Sequence, residues 1–101
     1  MVFQVKWSER ARLDLVQVRD YIAADNPTAA RKVIREIVAR TRLLATQPFS
    51  SPTYKPARDN DVRHTFSGRY RIFYRVHPAD SRVEILTIWH SSRREPRLPR
   101  N

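Results

Sequence analysis

Apolar positions recur along this chain in two rhythms, one of about 3.6 residues near the N-terminus and one of two residues in the second half. After Ser8, the residues Ala11, Leu15, Val18 and Ile22 fall at i, i+4, i+7 and i+11, and Val16 and Tyr21 widen the stripe. Ser8 suits an N-cap and Glu9 suits the first turn, so the spacing predicts one amphipathic helix from Glu9 to Ala24. Asp25-Asn26-Pro27 breaks and restarts the chain, with Asn26 as a cap and Pro27 at the first helical position. Ala30, Val33, Ile34, Ile37, Val38, Thr41, Leu44 and Ala45 carry a second stripe to about Thr46. A connection this short predicts an antiparallel helical hairpin, with both apolar stripes facing a core.

The rhythm of two begins weakly in Val2 to Trp7, a short strand ahead of the first helix. It returns in Asp61 to Phe66 and is strongest from Tyr70. There Tyr70, Ile72, Tyr74 and Val76 share one face, while Arg71, Phe73 and Arg75 share the other. Pro78-Ala79-Asp80-Ser81 reads as a turn, and Val83 to Trp89 as the return strand, rich in β-branched and aromatic residues. His90 leaves that strand towards Arg93 and Arg94. Gly68, the sole glycine, follows Ser67 in a tight turn where positive φ is expected. Between the helices and these strands, Gln47 to Ala57 holds Pro48, Pro52 and Pro56, and is expected to be a loop packed through Phe49 and Tyr54. The order is therefore β-α-α-β-β-β. This is an α+β fold, with a helical hairpin on one face of a small, mostly antiparallel sheet. The 101 residues suit one domain, with a polar tail from about residue 91 broken by Pro96 and Pro99.

Charge changes this picture more than composition does. Lys and Arg together number 20 against 10 Asp and Glu, a formal net charge of +10, and all the cations but Lys6, Lys32 and Lys55 are arginines. Guanidinium forks fit phosphate and carboxylate closely, so a polyanion or an acidic protein is the expected class of partner. There are no cysteines, which removes disulfides, thiolate metal sites and a cysteine nucleophile and fits a reducing cytoplasm. No apolar run approaches the roughly 18 residues needed to span a bilayer, and MVFQVKW is too short and too polar for a signal peptide. One glycine cannot build a nucleotide-binding loop, and His64, His77 and His90 are spread too widely for a metal site, so no cofactor is expected.

Three ordered segments resemble one family. Trp7 to Ala30 (WSERARLDLVQVRDYIAADNPTAA) is similar to the N-terminal signature of ParE-type toxins. Gly68 to Val76 (GRYRIFYRV) is similar to the central strand of the ParE/RelE superfamily of bacterial type II toxins, and Ile85 to Pro96 (ILTIWHSSRREP) to its last strand and His/Arg exit. The resemblance implies a growth-inhibiting toxin, held in a hetero-oligomer by the acidic and hydrophobic C-terminal segment of a cognate antitoxin. ParE-like members of the superfamily poison DNA gyrase, and RelE-like members cut mRNA on the ribosome.

A metal-free ribonuclease needs an acid, a base and cations around the phosphorane. Arg71 fits the RelE-like central-strand arginine, and Arg93 or Arg94 the later one. The strand from Asp61 to Phe66, however, lacks the RelE-like lysines, and no tyrosine follows Tyr74. ParE-like gyrase poisoning, with no bond-breaking by this chain, is therefore the expected activity. The first alternative is a ribosome-dependent endoribonuclease using Arg71, His90 and Arg93; the second is a non-toxic basic binding module or decayed toxin. The surface expected to bind antitoxin or target comprises Arg63, Arg69, Arg71, Phe73, Arg75, His90, Arg93 and Arg94, on the sheet face away from the helices and in the groove beside them. His64 is expected to be structural, His77 exposed, and Trp7 and Trp89 to anchor the core or its rim.

Overall fold

The computed structural model describes residues 2–57 and 61–92. Strand β1 (Gln4–Trp7) leads into helix α1 (Glu9–Ala23), whose N-cap Ser8 accepts a hydrogen bond from the Ala11 N–H at 3.0 Å. Asn26 caps helix α2 (Pro27–Leu43) in the same way through the Ala29 N–H, with Pro27 in the first turn. The helix ends three residues before Thr46. The N–H groups of Leu44, Ala45 and Thr46 bond to carbonyls three residues back, a tightened final turn that uses up carbonyls with no helical partner.

Strands β2 (Val62–Ser67), β3 (Tyr70–His77) and β4 (Arg82–His90) complete a four-stranded sheet of order β1-β4-β3-β2. β1 runs parallel to β4, and the other two pairings are antiparallel. Ser67 pairs with Tyr70, which leaves Gly68-Arg69 as a two-residue turn, and Gly68 has φ +56°. Positive φ at the first central residue is where such a hairpin turn needs glycine. At the other end of β3, the turn is a short 3-10 segment (Pro78–Asp80) closed by Ser81 at φ +46°.

The two helices pack together and against one sheet face. Ala11, Ile37 and Leu44 meet Ile72, Tyr74, Val76, Val83, Ile85 and Ile88 there. Two of the residues expected to widen the α1 stripe turn outwards instead: Tyr21 is 80% exposed and Val16 41%. The inward stripe, buried at Ala11 and partly buried at Leu15, Val18 and Ile22, is a full helical face already, and Tyr21 lies about 100° round the helix from Ile22.

The second sheet face is not open as expected. Tyr54 folds back over it and forms a smaller core with Val62, Phe73 and Leu86. As a result β3 is buried continuously from Ile72 to Val76, the burial pattern of a strand covered on both sides. The covering loop is held by backbone pairing to the outer edge of β2, with the Tyr54 N–H on the Val62 carbonyl at 2.9 Å and the His64 N–H on the Pro52 carbonyl at 3.2 Å. Tyr54 thus packs as expected, but Phe49 stays 52% exposed, edge-on to Phe3.

β4 carries one extra residue opposite the Phe73/Tyr74 step of β3. Its partners run Ile85↔Tyr74, then Thr87↔Phe73, leaving Leu86 over as a bulge. Helix α1 satisfies the disrupted ladder. Ser8 Oγ donates to the Leu86 carbonyl at 3.0 Å, and the Asp14 carboxylate accepts from the Thr87 hydroxyl and, at 3.1 Å, from the Ile88 N–H.

Candidate functional site

The bulge sets which way the end of β4 faces. Val83 and Ile85 point to the helices, and the extra residue shifts the phase so that Ile88 joins them and Trp89 packs with the smaller core. His90, opposite Tyr70, falls on the helix side, whereas Trp89, opposite Arg71, falls on the far side.

Where α1 passes this end of the sheet, two depressions of about 450 and 390 Å³ lie side by side, and Tyr21, Tyr70 and His90 line both. Asp14 and Gln17 contribute to the first, and Val33, Glu36 and Arg69 to the second. Together they form one trough between the helical hairpin and the Gly68 turn, with apolar walls and both signs of charge on its rim. His90 sits edge-on to Tyr70 with ring centres 5.3 Å apart. Its Nδ1 accepts the Ser92 N–H at 3.2 Å and lies 2.6 Å from Ser92 Oγ. This His90 contact fits strand-end capping. Among the described residues no group of three or more metal-ligating side chains occurs, and no helix is long and apolar enough to cross a membrane.

The sequence candidates separate. Arg69 is exposed in the hairpin turn and borders the trough with His90. Arg71 lies on the far face, its guanidinium 5.3 Å from the Phe66 ring centre and 5.5 Å from that of Phe73. Arg63 staples the covering loop, donating to the Ser51 carbonyl at 2.7 Å and lying over the Phe49 ring. Phe73 is fully buried and Arg75 is 4% exposed, with Nη1 3.9 Å from Glu84. Those two belong to the interior, because the loop covers the face they were expected to present. Arg93 and Arg94 lie outside the described residues. His64 packs on the far face, stacked on Phe73 with an interplanar angle of 13°. His77 is not simply exposed: its Nε2 is 3.0 Å from Glu84 Oε1. Trp7 and Trp89 pack at the rims of the two cores, as expected.

Residues 5–95 match the family described as ParE toxin of the type II toxin-antitoxin system parDE. The chain belongs to the ParE toxin family. It is also 31% identical over 97 residues to a Sinorhizobium fredii protein named as a candidate toxin, Y4kP, covering 94% of this chain and 95% of that one. The fold is shared with a chain of a chromosomal ParDE toxin-antitoxin system of Pseudomonas aeruginosa (TM-score 0.72, 23% identity, 88% of this chain and 96% of that one) and with a chain of the RelBE2 toxin-antitoxin complex of Mycobacterium tuberculosis (TM-score 0.67, 20% identity, 89% and 92%). Escherichia coli RelE, in a mutant form in the free state, is similar at a TM-score of 0.65, with 14% identity over 91% of this chain and 86% of that one.

In this ParE-family toxin, sequence reasoning missed the trough residues Tyr21, Asp14 and Gln17. Tyr21 carried a usable signal, since a large aromatic at the edge of an already complete apolar stripe is a candidate surface anchor. Asp14 carried none, because its partners lie 73 and 74 residues away.

Proposed function

We propose that this toxin stops growth by binding DNA gyrase and trapping a gyrase–DNA state, without itself breaking a bond, and that a cognate antitoxin neutralises it by occupying the trough beside α1. The family match over residues 5–95 carries this reading. The trough supports the antitoxin half of it. It is long, walled by Val18, Ile22 and Val33, and bordered by Arg69 and His90, which suits an apolar segment with acidic flanks. The net charge of +10 adds long-range attraction for such a segment.

A ribonuclease would require Arg71 and His90 to converge on one phosphate. Their register partners place them on opposite faces of the sheet, so a substrate held by one is screened from the other by the strand itself. The test is gyrase supercoiling and gyrase-mediated DNA cleavage with purified toxin, with bulk translation followed after induction in cells. Loss of supercoiling with accumulating cleaved DNA and continuing translation is expected. Unchanged gyrase activity, or rapid mRNA cleavage with falling translation, would overturn the proposal.

A further inference from the structure

On the sheet face away from the helices, the covering loop stops short of the Gly68 turn. Tyr54 reaches the row that holds His64 and Phe73, at ring distances of 5.3 and 4.8 Å. The next row is Phe66, Arg71 and Trp89, register neighbours on three successive strands. Phe66 is 49% exposed. Arg71 and Trp89 are half-buried, and the Arg71 guanidinium lies over both the Phe66 and the Phe73 ring.

This row has a definite chemistry. It offers two flat aromatic groups and a flat cation, spread over about 10 Å by the spacing of neighbouring strands. None of these residues is acidic, and neither is His64 nor Phe73 in the row beneath. The nearest carboxylate on this face that the register identifies is Glu84, which lies beside Arg75 and His77. A partner must therefore bring flat π surface for the rings and guanidinium and negative charge for the arginine. Unpaired nucleobases on a phosphate backbone bring both. Duplex DNA does not, because its bases already stack on one another and present only their edges.

We propose that the Phe66–Arg71–Trp89 row is a stacking platform for single-stranded nucleic acid, binding bases without cleaving the strand. The proposal is independent of the gyrase reading and concerns the sheet face opposite the trough, where Phe66 and Arg71 lie and from which Trp89 also reaches the edge of the first depression.

The chain has two tryptophans, so a Trp7→Phe variant leaves Trp89 as the sole indole reporter. The full chain would be titrated at physiological ionic strength with a short oligo-dT, and separately with the oligo-dT·oligo-dA duplex. Saturable quenching of Trp89 by oligo-dT is expected, with little quenching by duplex. Phe66→Ala should weaken oligo-dT binding roughly tenfold or more, the size of one lost base–aromatic stack. Arg71→Lys, which keeps the charge but loses the plane, should weaken it too. Anisotropy of labelled oligo-dT on the chain with both tryptophans gives the same comparison if Trp7→Phe unfolds, and circular dichroism checks the fold of each variant. Equal affinity for single strand and duplex, unaltered by Phe66→Ala, would mean charge attraction alone and would overturn the proposal. So would a Phe66→Ala variant that binds oligo-dT normally but loses affinity for the antitoxin, which would make the row a protein-docking surface.

Discussion

Asp14 is a sharp test of how the sheet end is held. Its carboxylate accepts from the Thr87 hydroxyl and from the Ile88 N–H, and Thr87 and Ile88 are 0% and 4% exposed. Asp14→Ala leaves both donors without their acceptor. Each buried donor left without a partner costs about 1–3 kcal/mol. Asp14 borders a depression, so water can reach part of the gap, and relief of the carboxylate's own desolvation offsets some of the loss. The expected net cost is about 2–3 kcal/mol, a large share of the roughly 5–15 kcal/mol that holds a domain folded. For a domain of this size that corresponds to a fall in Tm of roughly 10–20 °C. Asp14→Asn keeps one acceptor oxygen and should cost about 1 kcal/mol. Urea and thermal unfolding followed by circular dichroism would measure each variant. Thr87→Val removes one of the donors, so the double variant Asp14→Ala/Thr87→Val should be less destabilised than the sum of the singles by about 1 kcal/mol. A loss below about 0.5 kcal/mol for Asp14→Ala, typical of an ordinary surface position, or strict additivity in the cycle, would refute the account of the bulge.

Three further outcomes follow from other parts of the molecule. Gly68→Ala should cost about 1 kcal/mol in the same unfolding assay, since nothing lies within 4 Å of an added Cβ and the penalty comes only from φ +56°; Gly68→Asn should cost less. Burial pushes the Tyr74 hydroxyl above its ordinary pKa of 10.0. The unfolded chain therefore loses this proton first, and the stability present below about pH 10 declines as pH climbs through the folded value. Tyr74→Phe should flatten that alkaline decline in denaturation curves, and should lower neutral stability by about 1 kcal/mol through loss of the hydrogen bond to the Pro48 carbonyl, which is 3.0 Å long. Tyr21→Ala, at an 80% exposed position, should leave Tm nearly unchanged while weakening antitoxin binding about tenfold or more in calorimetry; an unaltered affinity would move the antitoxin out of the trough.

Much of this fold is legible in residue order because its signals are local. Ser8, Asn26 and Pro27 start helices by satisfying nearby N–H groups, and Gly68 permits a turn that other residues resist. What stayed hidden depends on contacts distant in sequence. Nothing near Phe73 or Arg75 says that Tyr54 will fold across them, so alternation alone assigns both to an open face. Likewise, strict alternation from Val83 would put Trp89 with the helix-facing residues and Ile88 on the far side, and only the extra residue at Leu86, held by Ser8 and Asp14, reverses this. Of the candidate site, the strand-end cluster at Arg69 and His90 was visible as a motif. The trough was not, because half of it belongs to α1.

The two-residue repeat of a strand also has a consequence for how such a toxin can diverge. Tyr70 and Arg71 are neighbours in the chain, as are His90 and Trp89, yet each pair is split between opposite surfaces of one thin layer. A change at Tyr70 remodels the trough and leaves Arg71 and Phe66 on the far side in place, and a change at Phe66 or Arg71 leaves the trough lining unaltered. With the antitoxin in the trough as proposed above, duplicated copies of this gene can acquire distinct neutralising partners without altering the Phe66–Arg71 surface. That is the insulation that several toxin pairs sharing one cell would require.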